Sequence, residues 1–451
     1  MERKKFIENM GFSIGALWLS PSLLANADND TGYALNNVKH KISLTISPVK
    51  LEIAKGLIIE TIGYNGSSPG PVLKMREGEK IAVDVYNETN HREIVHWHGQ
   101  HLPASVDGAV VEGTPPVEVN GHRRYIFEPG PSGTQWYHTH MHSNGNQQLG
   151  TYSGQQGIVF IEPKDNPGSY DREVFLISHE WHPFLSESFG TDFNMPVYTL
   201  NGKTLGFGEP IQVKEGQRVM FRIVNGNAKD EIKMACSGHK MKVMAMDGNP
   251  VPKPTFVKEV RLGSGERVDI LIKMDNPGKW IFGDSNNERR NGGLGIVIEY
   301  SNKAGKSKWE PVKEGKWDYT IFGNTQKIIQ PEQEIKMVFD RVRNNGKSIW
   351  RINGKPFEEQ QNYPLTYGLK YRLNFEDKSN RRHPLHLHRH SFELVNIDGK
   401  QTSGIIKDTV CIEPNGKVAV DFTANQKGLS LFHCHMQNHM ENGFMSLFEC
   451  S

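Results

Sequence analysis

The sequence predicts an all-β fold of three consecutive sandwich or Greek-key units, and three observations carry that prediction. Short runs alternate apolar and polar residues, as in Lys80-Ile81-Ala82-Val83-Asp84-Val85-Tyr86 and Gln217-Arg218-Val219-Met220-Phe221-Arg222-Ile223-Val224, the two-residue period of a strand. Asn-Gly steps recur at Asn65-Gly66, Asn120-Gly121, Asn144-Gly145, Asn201-Gly202, Asn225-Gly226, Asn353-Gly354 and Asn415-Gly416, and this dipeptide suits the left-handed backbone of tight hairpin turns. No long run carries a 3.6-residue apolar period, so helices are not the framework.

At 451 residues the chain has room for about three domains of ordinary size. Two turn-rich stretches divide it. Glu162-Pro163-Lys164-Asp165-Asn166-Pro167-Gly168-Ser169 is one, and the Lys-, Gly- and Ser-rich segment between Ser301 and Trp317 is the other. The resulting units are 28–165, 166–305 and 306–451. Residues 1–27 stand apart. Arg3, Lys4 and Lys5 precede an apolar stretch from Met10 to Leu24, too short to span a bilayer comfortably, and Ala25-Asn26-Ala27 has the small-x-small form of a signal-peptidase site. An export signal peptide is expected, with a mature protein starting near Asp28 in the periplasm or otherwise outside the cytoplasm; an uncleaved anchor is the alternative. Arg3-Lys4-Lys5-Phe6-Ile7 is also similar to a twin-arginine signal with Lys in place of the second Arg.

Hydrophobic residues make up 36% and charged residues 23%, with 45 Gly and 24 Pro. That turn-rich, soluble composition excludes a disordered chain, a coiled coil and a multi-span membrane protein. The 53 Lys plus Arg against 51 Asp plus Glu leave +2, so no global field attracts nucleic acid. Four Cys cannot form a disulfide scaffold. The unusual count is 19 His.

Chance placement of 19 His would give about 0.8 His-x-His pairs, and the chain has six, at 96/98, 138/140, 140/142, 386/388, 388/390 and 433/435. They fall only in the first and third units; the middle one has just His179, His182 and His239. On a strand, residues i and i+2 share a face, so His96 with His98, His138 with His140, His386 with His388 and His433 with His435 each project together. Eight imidazoles exceed the needs of a single zinc site. Cys434 lies between His433 and His435 and must point the other way, so one tripeptide serves two sites. A thiolate, two imidazoles and a weak axial group form the ligand set of blue copper; His439 and His383 are the candidate imidazoles, and a buried structural thiol is the bland alternative for Cys434.

With these residues in view, the chain resembles the three-domain multicopper oxidases, the group of laccases, ascorbate oxidases and bacterial cuprous oxidases. The matching stretches are His96-Trp97-His98-Gly99, Trp136-Tyr137-His138-Thr139-His140, His383-Pro384-Leu385-His386-Leu387-His388 and His433-Cys434-His435 through Phe444, and Gly238-His239 followed by Met246-Asp247-Gly248 is similar to a structural stretch of the family's middle domain. The resemblance implies three cupredoxin-like Greek-key domains and four copper ions. It implies a type 1 copper on His383, Cys434 and His439, a type 2 copper on His96 and His386, and a type 3 pair on His98, His138, His140, His388, His433 and His435. The trinuclear cluster would then lie between the first and third domains. Electrons would enter at type 1 and leave Cys434 through the backbone to His433 and His435, and O2 would be reduced to water. Asp107 matches an acid near the family's type 2 copper that assists proton delivery and orients water; a turn residue in Val106-Asp107-Gly108 is the alternative.

The expected function is a laccase-like oxidase of phenolic or related aromatic donors. A periplasmic cuprous oxidase for copper tolerance, taking Cu(I) as donor, is the close alternative, and a non-catalytic copper-binding or scaffold protein is the distant one. A monomer without nucleic-acid or transmembrane partners is expected. Some residues depart from the family pattern. Phe444 stands where many bacterial members carry an axial Met, which leaves the copper more trigonal and raises its potential; Met445 is a rival ligand but would face away as the next residue on a strand. Arg389 replaces a common Gly, and His142 and His390 extend their pairs without being ligands. Met234, Met241, Met244 and Met246 around Cys236 and His239 form either a soft Cu(I) depot or ordinary core. Arg381 and Arg382 either favour anionic or phenolate donors or are merely solvated. No Met-rich insert lies between Phe357 and His383. Of Cys236, Cys411 and Cys450 at most two can pair.

Overall fold

The computed structural model describes residues 40–143, 149–165, 168–182, 196–312, 317–325 and 329–451. The export signal expected for residues 1–27 and the Asn144-Gly145 step lie outside them. Strands drawn from 40–162 form two four-stranded sheets; those from 172–300 and those from 333–450 each form a six- and a five-stranded sheet. One crossover recurs in all three groups. His40–Ala54 runs parallel to Ile81–Asn87, Arg172–Trp181 to Arg218–Asn225, and Gln333–Asn344 to Lys370–Asp377. Most other pairings are antiparallel, as Greek-key units require. Among the described residues no helix is long and apolar enough to cross a membrane.

The first group closes on its own core, with Leu44, Val83, Trp97 and Tyr137 from both sheets in one apolar cluster. The second and third share a continuous core that runs from Phe221 and Phe282 through Tyr319 and Phe322 to Leu385 and Phe432. Two strands depart from simple alternation. Ile81 to Val85 is buried throughout, because Asp84 on the polar side is taken up by Arg124 at 2.7 Å and His122 at 2.8 Å. Arg218–Asn225 is buried from Val219 onward because the first group covers its outer face. There the Arg222 guanidinium lies 4.0 Å from the Phe160 ring centroid and pairs with Glu173 and Asp269.

Asn65-Gly66, Asn201-Gly202 and Asn353-Gly354 adopt paired positive φ angles, the geometry of tight hairpins. Asn225-Gly226 does not turn. Asn225 ends its strand, and its amide instead bonds the Asp230 and Leu262 carbonyls at 3.0 and 2.9 Å.

This framework brings four strands together. Val95–His96 pairs with Gly133–Thr139 so that His96 faces His138. In the third group His383–Leu387 pairs with Gly428–Cys434 so that His386 faces His433 and Leu385 faces Cys434. The two pairs of strands meet ring on ring: His98 stacks on His386 at 3.7 Å and His96 on His388 at 4.0 Å between centroids.

Candidate metal centre

Eight buried imidazoles converge where the first and third groups meet. His98, His138 and His435 offer nitrogens within 4.8 Å of one another, as do His140, His388 and His433, and as do His96, His98 and His386. His388 Nε2 lies 3.1 Å and His140 Nε2 3.4 Å from His433 Nε2. The outer nitrogens are anchored. His96 Nδ1 donates to the Asp107 carbonyl at 2.9 Å, His138 Nδ1 to that of Thr139 at 2.8 Å, His386 Nδ1 to that of Asp408 at 2.9 Å and His433 Nδ1 to that of Cys434 at 2.9 Å. His98 is turned around: its Nε2 meets Asp408 Oδ1 at 3.0 Å and Thr409 Oγ1 at 3.2 Å, leaving Nδ1 inward. Such outer bonds fix ring orientation and tautomer at metal sites.

The inward nitrogens test whether a metal fits. His96 Nε2, His98 Nδ1, His138 Nε2, His386 Nε2 and His435 Nε2 are buried without a hydrogen-bond partner, a costly arrangement unless a cation accepts their lone pairs. Burial, reinforced by neighbouring rings, holds His98, His138, His140, His386, His433 and His435 well below the ordinary imidazole value, so they present neutral lone pairs. His388 is the exception: burial lowers it, but Glu112 and Asp107 prevail and raise it to about 9. Asp107 Oδ2 lies 2.9 Å and Glu112 Oε2 3.4 Å from His388 Nδ1. Burial and the Asp107 charge push Glu112 up to about 7. Burial raises Asp107, but His96 and His388 prevail and lower it. Two carboxylates thus draw positive charge to this side of the cluster, and the donor set fits metal ions bound by imidazole.

Sequence reasoning missed several supports, because they arrive from distant segments. Ser264 Oγ meets His435 Nδ1 at 2.9 Å. Arg267, fully buried, donates to both oxygens of Asp408 at 2.6 Å, to the Thr134 carbonyl at 3.2 Å and to Gln135. Asp247 takes the backbone N–H of Arg267, Asp408 and Thr409. The middle group, which holds no histidine pair, therefore bolts the other two together behind the cluster. Gly265, at φ +86°, backs directly onto the His435 ring, where a Cβ would lie 2.8 Å from Cδ2. Glu112 sits in a one-turn helix and accepts from the Leu431 N–H at 2.5 Å.

On the other face of the same tripeptide, Cys434 Sγ lies 3.7 Å from His383 Nδ1 and 3.5 Å from His439 Nδ1, with 3.1 Å between the two nitrogens. Bonds of about 2.0 Å to nitrogen and about 2.3 Å to sulfur, at angles of about 100–120°, give separations of roughly 3.1–3.7 Å, so the triangle is the size of one ion. His383 Nε2 is held by Ser379 Oγ at 2.8 Å. Burial pushes the Cys434 thiol up; a coordinating cation reverses that by taking the proton's place. Phe444 packs 4.8 Å from the His383 ring and offers no ligand atom. Met445 lies in a separate apolar cluster with Leu431 and Leu447, as expected of the next residue on a strand. Trp350 packs against His439 at 3.9 Å between centroids, the rings tilted by 34°. His439 also lines a cavity of about 540 Å³ with Trp350, Arg341, Arg381 and Arg382. Burial, then the charges of His383, Arg341, Arg381 and Lys229, hold His439 well below the ordinary value.

The remaining candidates settle elsewhere. Arg389 keeps a left-handed backbone, φ +64°, and buries its guanidinium against the Leu102 and Lys427 carbonyls at 2.8 Å, the Leu429 carbonyl and Ser430 Oγ at 3.1 Å. It braces the Cys434 strand rather than disturbing it. His390 Nδ1 donates to the His388 carbonyl at 3.1 Å. Met234, Met241, Met246 and Cys236 are core residues of the middle group. Cys236, Cys411, Cys434 and Cys450 are all buried free thiols, so no pair forms.

Three family models, each described as multicopper oxidase, match residues 45–166, 132–303 and 328–451. The chain is 26% identical to multicopper oxidase MmcO of Mycobacterium tuberculosis, over 89% of this chain and 85% of that protein. It is similar in structure to a laccase from Botrytis aclada (TM-score 0.74, 18% identity, 90% of this chain and 87% of that one). It is likewise similar to a multicopper oxidase from Campylobacter jejuni described as a metallo-oxidase (TM-score 0.73, 22% identity, 93% of each chain). Three matches that leave little of the described chain uncovered, on cupredoxin-like sheets, establish that this chain belongs to the multicopper oxidases, copper-dependent oxidoreductases that use O2 as acceptor.

Proposed function

We propose that this chain is laccase-like: it takes electrons singly from phenolic or related aromatic donors at the three-ligand centre and delivers them to O2 at the eight-imidazole cluster. On this reading His383, Cys434 and His439 hold one copper and His96 and His386 a second. His98, His138 and His435 hold a third, and His140, His388 and His433 a fourth. The observation that carries the reading is the double use of one tripeptide at the end of a strand, with Cys434 in the triangle and His433 and His435 in the cluster. When bound, the coppers supply the one-electron redox steps and the four-electron reduction of O2.

The chain's own residues supply the rest. Cys434 joins the two centres through the peptide bonds to its neighbours, the shortest covalent path available. Asp107 holds His388 and leaves Oδ1 unpartnered and buried, where it orients water and passes protons toward the cluster. Asp408, itself gripped by Arg267, keeps His98 in its inverted setting. Phe444 packs against the His383 ring and offers no ligand atom, so a copper held by the triangle would lack a thioether and would have a high potential. The small-x-small site after an apolar segment supports export.

Oxygen uptake by the copper-loaded protein tests the reading, with a phenol and Cu(I) compared side by side and copper measured per chain. Uptake with the phenol exceeding that with Cu(I), at roughly four coppers per chain, is expected. Strong preference for Cu(I) would overturn the organic-donor reading in favour of a cuprous oxidase, and an inert protein that binds copper would return it to a scaffold.

A further inference from the structure

We infer that the cavity beside His439 is a binding site for negatively charged aromatic donors, molecules with an oxidisable ring and a carboxylate or sulfonate a few ångströms away. This specifies the donor class of the laccase-like reading and rests on it.

The cavity holds about 540 Å³, enough for a one-ring molecule, and its wall brings together cations from separate parts of the chain. Lys229 comes from the middle group, Arg341 and Lys347 from a hairpin of the third, and Arg381 and Arg382 from the segment entering His383. Among the described residues that line it, none is acidic. Arg382 is neutralised by Glu413 at 2.6 Å and by Glu231. Arg341's neighbour Asp340 is already paired with Arg351 at 2.7 Å. Lys229, Arg341, Lys347 and Arg381 have no ion-pair partner among the described residues. Against a net charge of only +2 for the whole chain, four uncompensated cations around one concavity are a local field.

The same wall carries the aromatic surface. Trp350 packs against the His439 ring at a tilt of 34°, and the Arg341 guanidinium sits 5.6 Å from the Trp350 centroid. A donor ring laid against Trp350 and His439 would point its acidic substituent at Arg341 and Arg381, whose planar forks suit a carboxylate. Bare cations such as Cu(I) are repelled by the same groups. In each turnover the donor loses one electron and its hydroxyl proton and leaves as a phenoxyl radical. Four such losses, with four protons, reduce one O2 to two waters.

Three phenols with one guaiacol head and a spacer of two methylenes isolate charge from ring chemistry: 3-(4-hydroxy-3-methoxyphenyl)propanoate, its methyl ester, and 3-methoxytyramine. With copper-loaded full-length protein at low salt, kcat/KM should fall from acid to ester to amine, the acid leading the ester by about tenfold. That lead should shrink as salt approaches about 0.5 M. In Arg341→Gln/Arg381→Gln the acid-to-ester ratio should collapse toward one. Lys253→Gln/Lys258→Gln, which removes the same charge from an exposed strand and the bend just after it, should keep it. Binding is read separately by calorimetry with 3-(3,4-dimethoxyphenyl)propanoate and its methyl ester, which have no phenol to oxidise. The acid should bind about tenfold tighter than the ester, again only while Arg341 and Arg381 are present. Equal kcat/KM and equal binding of acid and ester, or a preference that survives the double variant, would overturn the inference while leaving phenol oxidation intact. Charge-selective binding without oxidation of any of the three phenols would sustain the site and sink the laccase-like reading instead.

Discussion

His383, Cys434 and His439 all belong to one sheet of the third group and the short helix that follows it, whereas the eight imidazoles are contributed in equal halves by the first and third groups. The contrast extends to their supports. The triangle is braced locally, by Ser379, Trp350 and Phe444. The cluster depends on Arg267 and Ser264 of the middle group, which contributes none of its imidazoles. One centre is made by folding a single unit, and the other is made by docking three.

That difference can be broken open by substitution. The largest effect belongs to Cys434→Ser, which removes the thiolate from the triangle and the head of the covalent path. Its blue absorption and its oxidation of donors should vanish, while elemental analysis should still find most of the cluster copper. Full donor oxidation in this variant would sink the proposed electron path. Arg267→Met should act in the opposite sense. It leaves Asp408 buried without its cation, a change on the order of 3–5 kcal/mol. Chemical denaturation should show that loss and metal analysis a depleted cluster, with the blue band retained in the folded protein. A cluster at full occupancy would mean that the docking is held by other contacts. Smallest is Phe444→Met, which alters the triangle alone. A thioether on the axial side should lower the potential measured by redox titration, with cluster copper unchanged.

The same division explains what could be read in the chain. The imidazole pairs were legible from their spacing, although each straddles the end of a strand: His96, His138, His386 and His433 are strand residues, and His98, His140, His388 and His435 follow just beyond. The all-β architecture was legible from alternation and from Asn-Gly turns such as Asn65-Gly66. The supports were not. Ser264 reaches His435 across 171 positions and Asp408 reaches His98 across 310, and nothing local marks either as a partner. Glu112 looks like a solvated acid in Val110-Val111-Glu112, yet packing of the Gly428–Cys434 strand buries it beside His388. Continuous burial of Ile81 to Val85 was hidden because Asp84, which signals an outer face, is satisfied by Arg124 from the next strand.

Placing Cys434 directly between two histidines of the cluster has a consequence for how the molecule fails. On the proposed reading, thermal breathing between the sandwiches cannot lengthen the covalent route from Cys434 to His433 and His435. It can only draw His96, His98, His138 and His140 away from their partners on the third group. On the proposed reading, a molecule caught in such an opening would still accept a first electron but would have no assembled place to spend it on oxygen. On that reading the molecule idles when it loosens, holding its electron until the halves close again.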